Sequence, residues 1–232
     1  MLVLFDIDGT LLIRASAEHA RAVLAAIEDI WGVAVGEVPS VQAAGRTDIE
    51  IARQILAFHA VEGAAFDTRL GDFRAATETH YERLVPDDLS AHVAPGAIAA
   101  LDVLAADAAV RLSLVTGNIE AVAHLKLASA GLGRYFERGQ GGFGSDAEDR
   151  AELPAIARAR AGAAWNGGDA WPRERTVVVG DTPRDIACAR ADGVRVIAVP
   201  TGPYGADELR EADVVLPDLH ALAQVGPDGR AR

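Results

Sequence analysis

The chain opens on Leu2-Val3-Leu4-Phe5, an apolar run without a polar residue, followed at once by Asp6-Ile7-Asp8-Gly9-Thr10. A run this short and this apolar, closed by a glycine, predicts a buried strand. Two carboxylates then stand two residues apart where the strand should end. That spacing leaves both side chains on one face of an extended backbone. Asp6 and Asp8 are therefore expected to address one small volume, with Gly9 letting the chain turn sharply behind them. Like charges held so close need a cation, or a proton on one of them, to relieve the repulsion. A metal-assisted reaction with one nucleophile and one acid/base meets that demand.

Similar apolar runs recur at Val110–Val115, Gly142–Phe143, Thr176–Val179, Arg195–Val199 and Val214–Leu216. Between them lie stretches of helical spacing at Pro95–Ala106, Ile119–Ala130, Ala151–Ala161 and Pro183–Ala191. Such alternation predicts an α/β fold, a parallel sheet with helices on both faces, whose ligands bind beyond the carboxyl ends of the strands. Residues 15–91 break the pattern: no strand, but helices over Ser16–Trp31, Asp48–Phe58 and about Phe66–Leu84. Thr47-Asp48-Ile49-Glu50 is a capping-box sequence that sets the second helix start. The expected organisation is a core of residues 1–14 and 92–232 with an inserted helical unit of residues 15–91. Residues 162–175, with four glycine or proline positions, read as a long surface loop, and the tail from Gly226 is expected to fray.

The net charge of -12 argues against an electrostatic grip on nucleic acid or an acidic membrane. It leaves room for an anionic substrate, because a divalent ion reverses the local field. No apolar stretch approaches the ~20 residues of a membrane span, and no leader precedes Leu2, so a cytoplasmic enzyme is expected. The single cysteine, Cys188, reads as a small buried apolar residue.

Two further strand ends carry chemistry. Leu112-Ser113-Leu114-Val115 leads into Thr116-Gly117-Asn118, where a hydroxyl, a glycine and a good N-cap residue open the next helix. Free amides at a helix start bind phosphate, and Thr116 adds a side-chain donor. Val177-Val178-Val179 leads into Gly180-Asp181-Thr182-Pro183-Arg184-Asp185, with Pro183 suited to a first helical turn. Asp6, Asp8, Asp181 and Asp185 could supply hard oxygen ligands to an octahedral ion such as magnesium.

The ordered set DxDGT, TGN and GDTxxD resembles the haloacid dehalogenase superfamily, and in particular its phosphoglycolate phosphatase-like members with a helical cap inserted after the first motif. The resemblance covers nearly the whole chain. It implies a Rossmann-like core and a magnesium-dependent phosphatase acting on a small phosphorylated metabolite. Asp6 would be the nucleophile that forms an aspartyl-phosphate, and Asp8 the residue that protonates the leaving oxygen and then activates water. Thr116 with Gly117 and Asn118 would hold the phosphoryl group, Gly9 and Thr10 would border it, and magnesium would take Asp6, the Asp8 backbone carbonyl and Asp181, with Asp185 close behind.

The family also expects a lysine at the start of the helix after the fourth motif-bearing strand. Here Arg150 stands at the corresponding place. The chain's one lysine, Lys126, lies eight residues past Asn118, about 12 Å along a helix running away from the site, and so ranks second for that duty, against an exposed helix charge. Arg46, before the capped helix at Thr47, is the candidate for reading the leaving group. His19, Gln42, Trp31, His59 and His80 receive no role.

Asp8 speaks against a dehalogenase, which has no acid/base at that position, and a cap without lysine excludes a Schiff-base phosphonate hydrolase. A sugar phosphomutase of the β-phosphoglucomutase type shares the catalytic set and is the alternative. A non-catalytic protein on the same fold should have lost a nucleophile or metal ligand, and none is missing. Ionised Asp6 and protonated Asp8 would give a bell-shaped pH profile. The cap is expected to open and close on hinges near Leu12–Ala15 and Ala91–Pro95.

Overall fold

The computed structural model describes residues 1–34 and 41–226. Its strands are β1 (Leu2–Phe5), β2 (Arg111–Thr116), β3 (Gly142–Phe143), β4 (Thr176–Gly180), β5 (Arg195–Ala198) and β6 (Val214–Val215). All pair in parallel, in the order β3-β2-β1-β4-β5-β6. β1 is central, and its four residues are fully buried because both faces of the sheet are covered. Alternation sorts them by face. Val3 and Phe5 join a cluster with Leu101, Leu104, Ala123 and Leu127, while Leu2 and Leu4 join Leu153, Ala157, Ile186 and Ala189 on the other side. Phe5 pairs with Leu114 in β2 and with Val179 in β4, so these three strands end within two residues of one another. That register places the segments after Phe5, Thr116 and Gly180 side by side at the carboxyl edge.

Between β1 and β2 the chain forms α1 (Ala17–Trp31), α2 (Asp48–Ala57), α3 (Ala64–Asp67) and α4 (Leu70–Leu84). A third apolar cluster holds them together: Ala22, Ile27, Ile49, Leu56, Phe66, Phe73 and Tyr81, with Ile119 and Val122. The two chain passages that join this block to the sheet run side by side. Ile13 N–H donates to His92 O at 2.8 Å, Ala94 N–H donates to Leu11 O at 2.9 Å, and Leu12 bridges Val93.

The later helices are α5 (Ala97–Ala105), α6 (Glu120–Ser129), α7 (Leu153–Trp165), α8 (Pro183–Asp192) and α9 (Leu219–Val225). Several details differ from the sequence expectation. The helix expected over Phe66–Leu84 breaks at Thr68-Arg69, which turns Phe66 flat onto Trp31, with ring centroids 5.4 Å apart. The expected loop over 162–175 begins late, since α7 continues to Trp165. Gly162 is a helical residue there because a side chain would strike the Asp169 carbonyl. The short α9 carries its own cap, Asp218 accepting from Ala221 N–H, and packs close against Gly96. Apart from Gly226, the tail expected to fray lies outside the described residues. Among the described residues no helix is long and apolar enough to cross a membrane.

Candidate active site

Asp6 is the first residue past β1, and its amide still donates to Val179 O at 2.9 Å, which fixes it at the sheet edge. Asp181 follows β4, and Asp185 sits in the first turn of α8. Thr182 caps that helix in a full capping box: its hydroxyl accepts from Asp185 N–H while Asp185 Oδ2 accepts from Thr182 N–H. Ligand oxygens of Asp6, Asp181 and Asp185 lie within 4.8 Å of one another, all buried.

Arg150 answers this charge. It sits in a 3₁₀ turn, Arg150–Glu152, that leads into α7, and it is almost wholly buried. One guanidinium nitrogen donates to Asp6 Oδ1 at 2.8 Å and to Asp185 Oδ1 at 2.5 Å. One guanidinium thus faces three carboxylates. Burial, followed by repulsion from neighbouring carboxylates, raises the pKa of both Asp6 and Asp181, with Arg150 acting in the opposite direction.

The donor set fits a hard divalent cation. It is all oxygen, it carries more negative charge than Arg150 neutralises, and Asp181 Oδ2 is buried with no hydrogen-bond partner. The backbone is shaped around that oxygen, since a side chain on Gly9 or Gly202 would collide with the Asp181 carboxylate. Thr10 donates its hydroxyl to Asp181 Oδ1 at 2.9 Å. Gly9 and Thr10, read from sequence as bordering the phosphate, stand here against Asp181. Asp185 lies behind, Oδ1 on Arg150 and Oδ2 in the helix cap.

Asp8 does not join the acidic cluster. The strand ends at Phe5, and the two carboxylates part: both line one cavity of about 90 Å³, but each has its own cation. Lys126 Nζ donates to Asp8 Oδ1 and Oδ2 at 2.8 and 2.6 Å. Asn118 donates to Oδ2 at 2.8 Å and Ser16 to Oδ1 at 2.9 Å. Burial alone would raise the Asp8 pKa, but Lys126 and His19 reverse it and hold the carboxyl at about 2.

Lys126 is fully buried, not an exposed helix charge. The distance along α6 misjudges its reach because the Asp8 side chain turns away from Asp6 and towards that helix. The third donor of Lys126 meets His19 Nδ1 at 3.0 Å, and His19 Nε2 donates to Asp48 Oδ2 at 3.0 Å. Asp48 Oδ2 also accepts from Ile119 N–H at 2.8 Å. A chain of polar contacts, Asp48–His19–Lys126–Asp8, therefore joins α1 and α2 to the sheet edge. Sequence reasoning missed His19 and Asp48. The signal was present: His19 falls on the apolar face that carries Ala22, Val23 and Ala26.

The segment after β2 is positioned by close packing. Gly117 O accepts from Asp48 N–H at 2.9 Å, and a side chain on Gly117 would strike the Arg46 carbonyl. Thr116 is buried, with its hydroxyl oxygen 3.3 Å from Asn118 N–H. Asn118 is not the N-cap of α6, a place taken by Ile119, because its side-chain amide is drawn to Asp8. Arg46 lines the cavity while its guanidinium pairs with Glu50 and donates to Gln42 O at 2.8 Å. Glu50 therefore completes only half of the capping box read at Thr47: Thr47 Oγ1 accepts from Glu50 N–H, and the Glu50 carboxylate turns to Arg46.

A parallel sheet with a helical insertion after its first strand, and carboxylates gathered where β1 and β4 end, defines a class of hydrolases. Residues 3–190 match the family model of the haloacid dehalogenase-like hydrolases, and the chain belongs to that family. No curated protein matches the chain by sequence. Among solved structures it is similar in fold to β-phosphoglucomutase from Clostridium difficile, at 16% identity and TM-score 0.68, covering 95% of this chain and 92% of that one. A predicted phosphoglycolate phosphatase from Haemophilus somnus is similar at 18% identity and TM-score 0.62, covering 95% of each chain. A predicted phosphatase from Clostridium acetobutylicum has 17% identity and TM-score 0.64, covering 96% of this chain and 95% of that one.

Proposed function

We propose that the protein is a magnesium-dependent phosphatase that hydrolyses a small-molecule phosphate monoester through an aspartyl-phosphate on Asp6. The observation that carries this reading is the convergence of Asp6, Asp181 and Arg150 at the carboxyl edge of the sheet, with the orphaned Asp181 oxygen beside the nucleophile. When bound, magnesium would be held by Asp6, Asp181 and the Asp8 backbone carbonyl, and would neutralise phosphoryl oxygen charge. The rest falls to side chains. Phosphoryl transfer needs positioning and charge stabilisation more than covalent assistance. Arg150 steadies Asp6 and offers fixed positive charge to the phosphoryl group, a duty that an arginine performs without losing its proton. Gly117 and Asn118 border the same cavity, with Thr116 buried just behind them, and this segment holds the phosphoryl oxygens.

Asp8 serves the leaving oxygen, then the attacking water. It is held as a carboxylate against Lys126, so the proton for the leaving oxygen resides on the Asp8–Lys126 pair as a unit. The insertion formed by residues 15–91 acts as a cap that closes over this cavity on the paired passages at Leu12 and Val93. A phosphomutase needs a second phosphate seat facing the first. Arg46, which the insertion brings to the cavity, is already engaged by Glu50, and this favours hydrolysis.

The test is phosphate release from an aryl phosphate with magnesium and then with chelator. Metal-dependent release that Asp6→Asn abolishes supports the proposal. Interconversion of sugar monophosphates primed by a bisphosphate, without net release, would move it to the mutase.

A further inference from the structure

The reaction cavity has an apolar neighbour. Between α1 and α2 lies a second cavity of about 290 Å³, walled by Ala20, Val23, Leu24, Val41, Ile51 and Ile55. It shares His19, Ala43, Asp48 and Ile51 with the reaction cavity, so the two adjoin at those four residues. Three polar side chains line the second cavity, and each is already committed. Ser16 donates to Asp8, His19 lies between Lys126 and Asp48, and Asp48 takes the Ile119 amide. No lysine, arginine or glutamate lines the apolar cavity among the described residues. A sugar, a glycerol unit or a second carboxylate seated there would give up its hydration without gaining partners. An alkyl or aryl group would gain from burial.

From this geometry we infer that the substrate is a phosphate monoester with an apolar leaving group, whose hydrocarbon part seats between α1 and α2. The inference rests on the phosphatase reading for the position of the phosphate, and adds the chemistry of what is attached to it. Asp8 lines the reaction cavity and accepts from Ser16, which lines the apolar one, so the bridging ester oxygen of such a substrate would fall beside it. Specificity then arises mainly from an apolar wall, with Arg46 confined to the phosphate side.

Phosphate release is to be measured for a series of n-alkyl phosphates from ethyl to hexyl, with glycerol phosphate and phosphoglycolate as polar comparators. In parallel, calorimetry would follow binding of the uncleavable methyl- and hexylphosphonates in the presence of magnesium. The expected result is a rise in kcat/KM of about threefold to fourfold per added methylene until the cavity is filled, the equivalent of burying one CH₂. Ala20→Phe, which places a ring in the cavity, should flatten that rise. Cleavage with no dependence on chain length, or with phosphoglycolate preferred, overturns the apolar seat and leaves hydrolysis standing. Tighter binding of hexylphosphonate without cleavage of any ester supports the seat and overturns hydrolysis. Equal binding of both phosphonates with no cleavage overturns both.

Discussion

Lys126 Nζ lies 2.8 and 2.6 Å from the two carboxylate oxygens of Asp8, and its side chain is fully buried while that of Asp8 is partly open to the cavity. A buried ammonium is retained only where partners satisfy it, and here Asp8 and His19 take its donors. Lys126→Met should therefore leave Asp8 without its cation. The loss of one partner of such a pair typically costs ~3–5 kcal/mol, and the partial exposure of Asp8 puts this case at the lower end. The kinetic signature is sharper than the stability change. Turnover of an alkyl ester, which needs a proton on its leaving oxygen, should fall by about 100-fold or more, whereas p-nitrophenyl phosphate should lose far less. Equal losses on both esters would reduce Lys126 to a structural role.

Arg150 joins Asp6 to Asp185 through one nitrogen. Arg150→Met would leave three buried carboxylates without a counter-charge, and both folding and activity should suffer severely. Arg150→Lys discriminates better. A lysine also offers one nitrogen, but on a shorter stem and without the planar group that fixes where the arginine's donors point. Activity should fall by roughly tenfold to 100-fold and not vanish, and a steady-state comparison of the two variants checks this. Full activity in Arg150→Met would remove the residue from the phosphoryl site.

The sheet was legible in the sequence because its strands are short and mostly apolar runs, as burial on both faces of the central strands requires. Leu2–Phe5 and Gly142–Phe143 match the structure residue for residue, and the remaining strands agree within a residue at each end. Helix ends were harder, because what stops or extends them lies elsewhere in the chain. Gly162 reads as a loop until the Asp169 carbonyl is seen pressing on α7, and Asn118 reads as a cap until Asp8 claims its amide. The acidic site was legible in identity but not in grouping. Spacing put Asp6 and Asp8 on one face of a strand, yet the strand stops at Phe5, and the acidic cluster takes Asp6, Asp181 and Asp185 instead. His19 and Lys126 were hidden for a related reason. A charged residue on an apolar helix face is a visible anomaly, but its partner comes from a segment more than 100 residues away.

The raised carboxyl groups predict an inverted pH dependence of stability. Asp6 and Asp181 have folded pKa values above the ordinary 3.8, so between that value and their raised ones the folded chain binds more protons than the unfolded chain. Their contribution to stability must then fall as pH rises from about 4 towards neutrality. Asp8 runs the other way: its contribution is complete above about 4 and is lost as pH falls through its folded value of about 2. Thermal midpoints in chelator should be higher at pH 5 than at pH 8, and magnesium at pH 8 should recover the difference. Asp181→Asn keeps an oxygen for the Thr10 hydroxyl but removes the repelling charge. It should raise the midpoint at pH 8, shrink the pH effect and abolish the response to magnesium. A variant less stable than the parent at pH 8 would contradict the assigned repulsion.

Gly202 offers a test of the ion's seat that leaves every carboxylate in place. A Cβ built there would lie 1.7 Å from Asp181 Oδ2, the buried oxygen without a partner. The backbone of Gly202 is not in the left-handed region, so alanine is tolerated by the main chain and the whole effect falls on that oxygen. Gly202→Ala should push the Asp181 carboxylate off its position and weaken magnesium binding by tenfold or more in a calorimetric titration. The midpoint in chelator should hardly change, since the displaced group was already repelled by Asp6. Gly9→Ala is the informative contrast. Its Cβ would also meet Asp181, at 2.2 Å, but its φ of +95° adds backbone strain, so it should lower the chelator midpoint as well as the affinity. If Gly202→Ala bound magnesium as tightly as the parent, Asp181 Oδ2 would not be the oxygen that meets the ion.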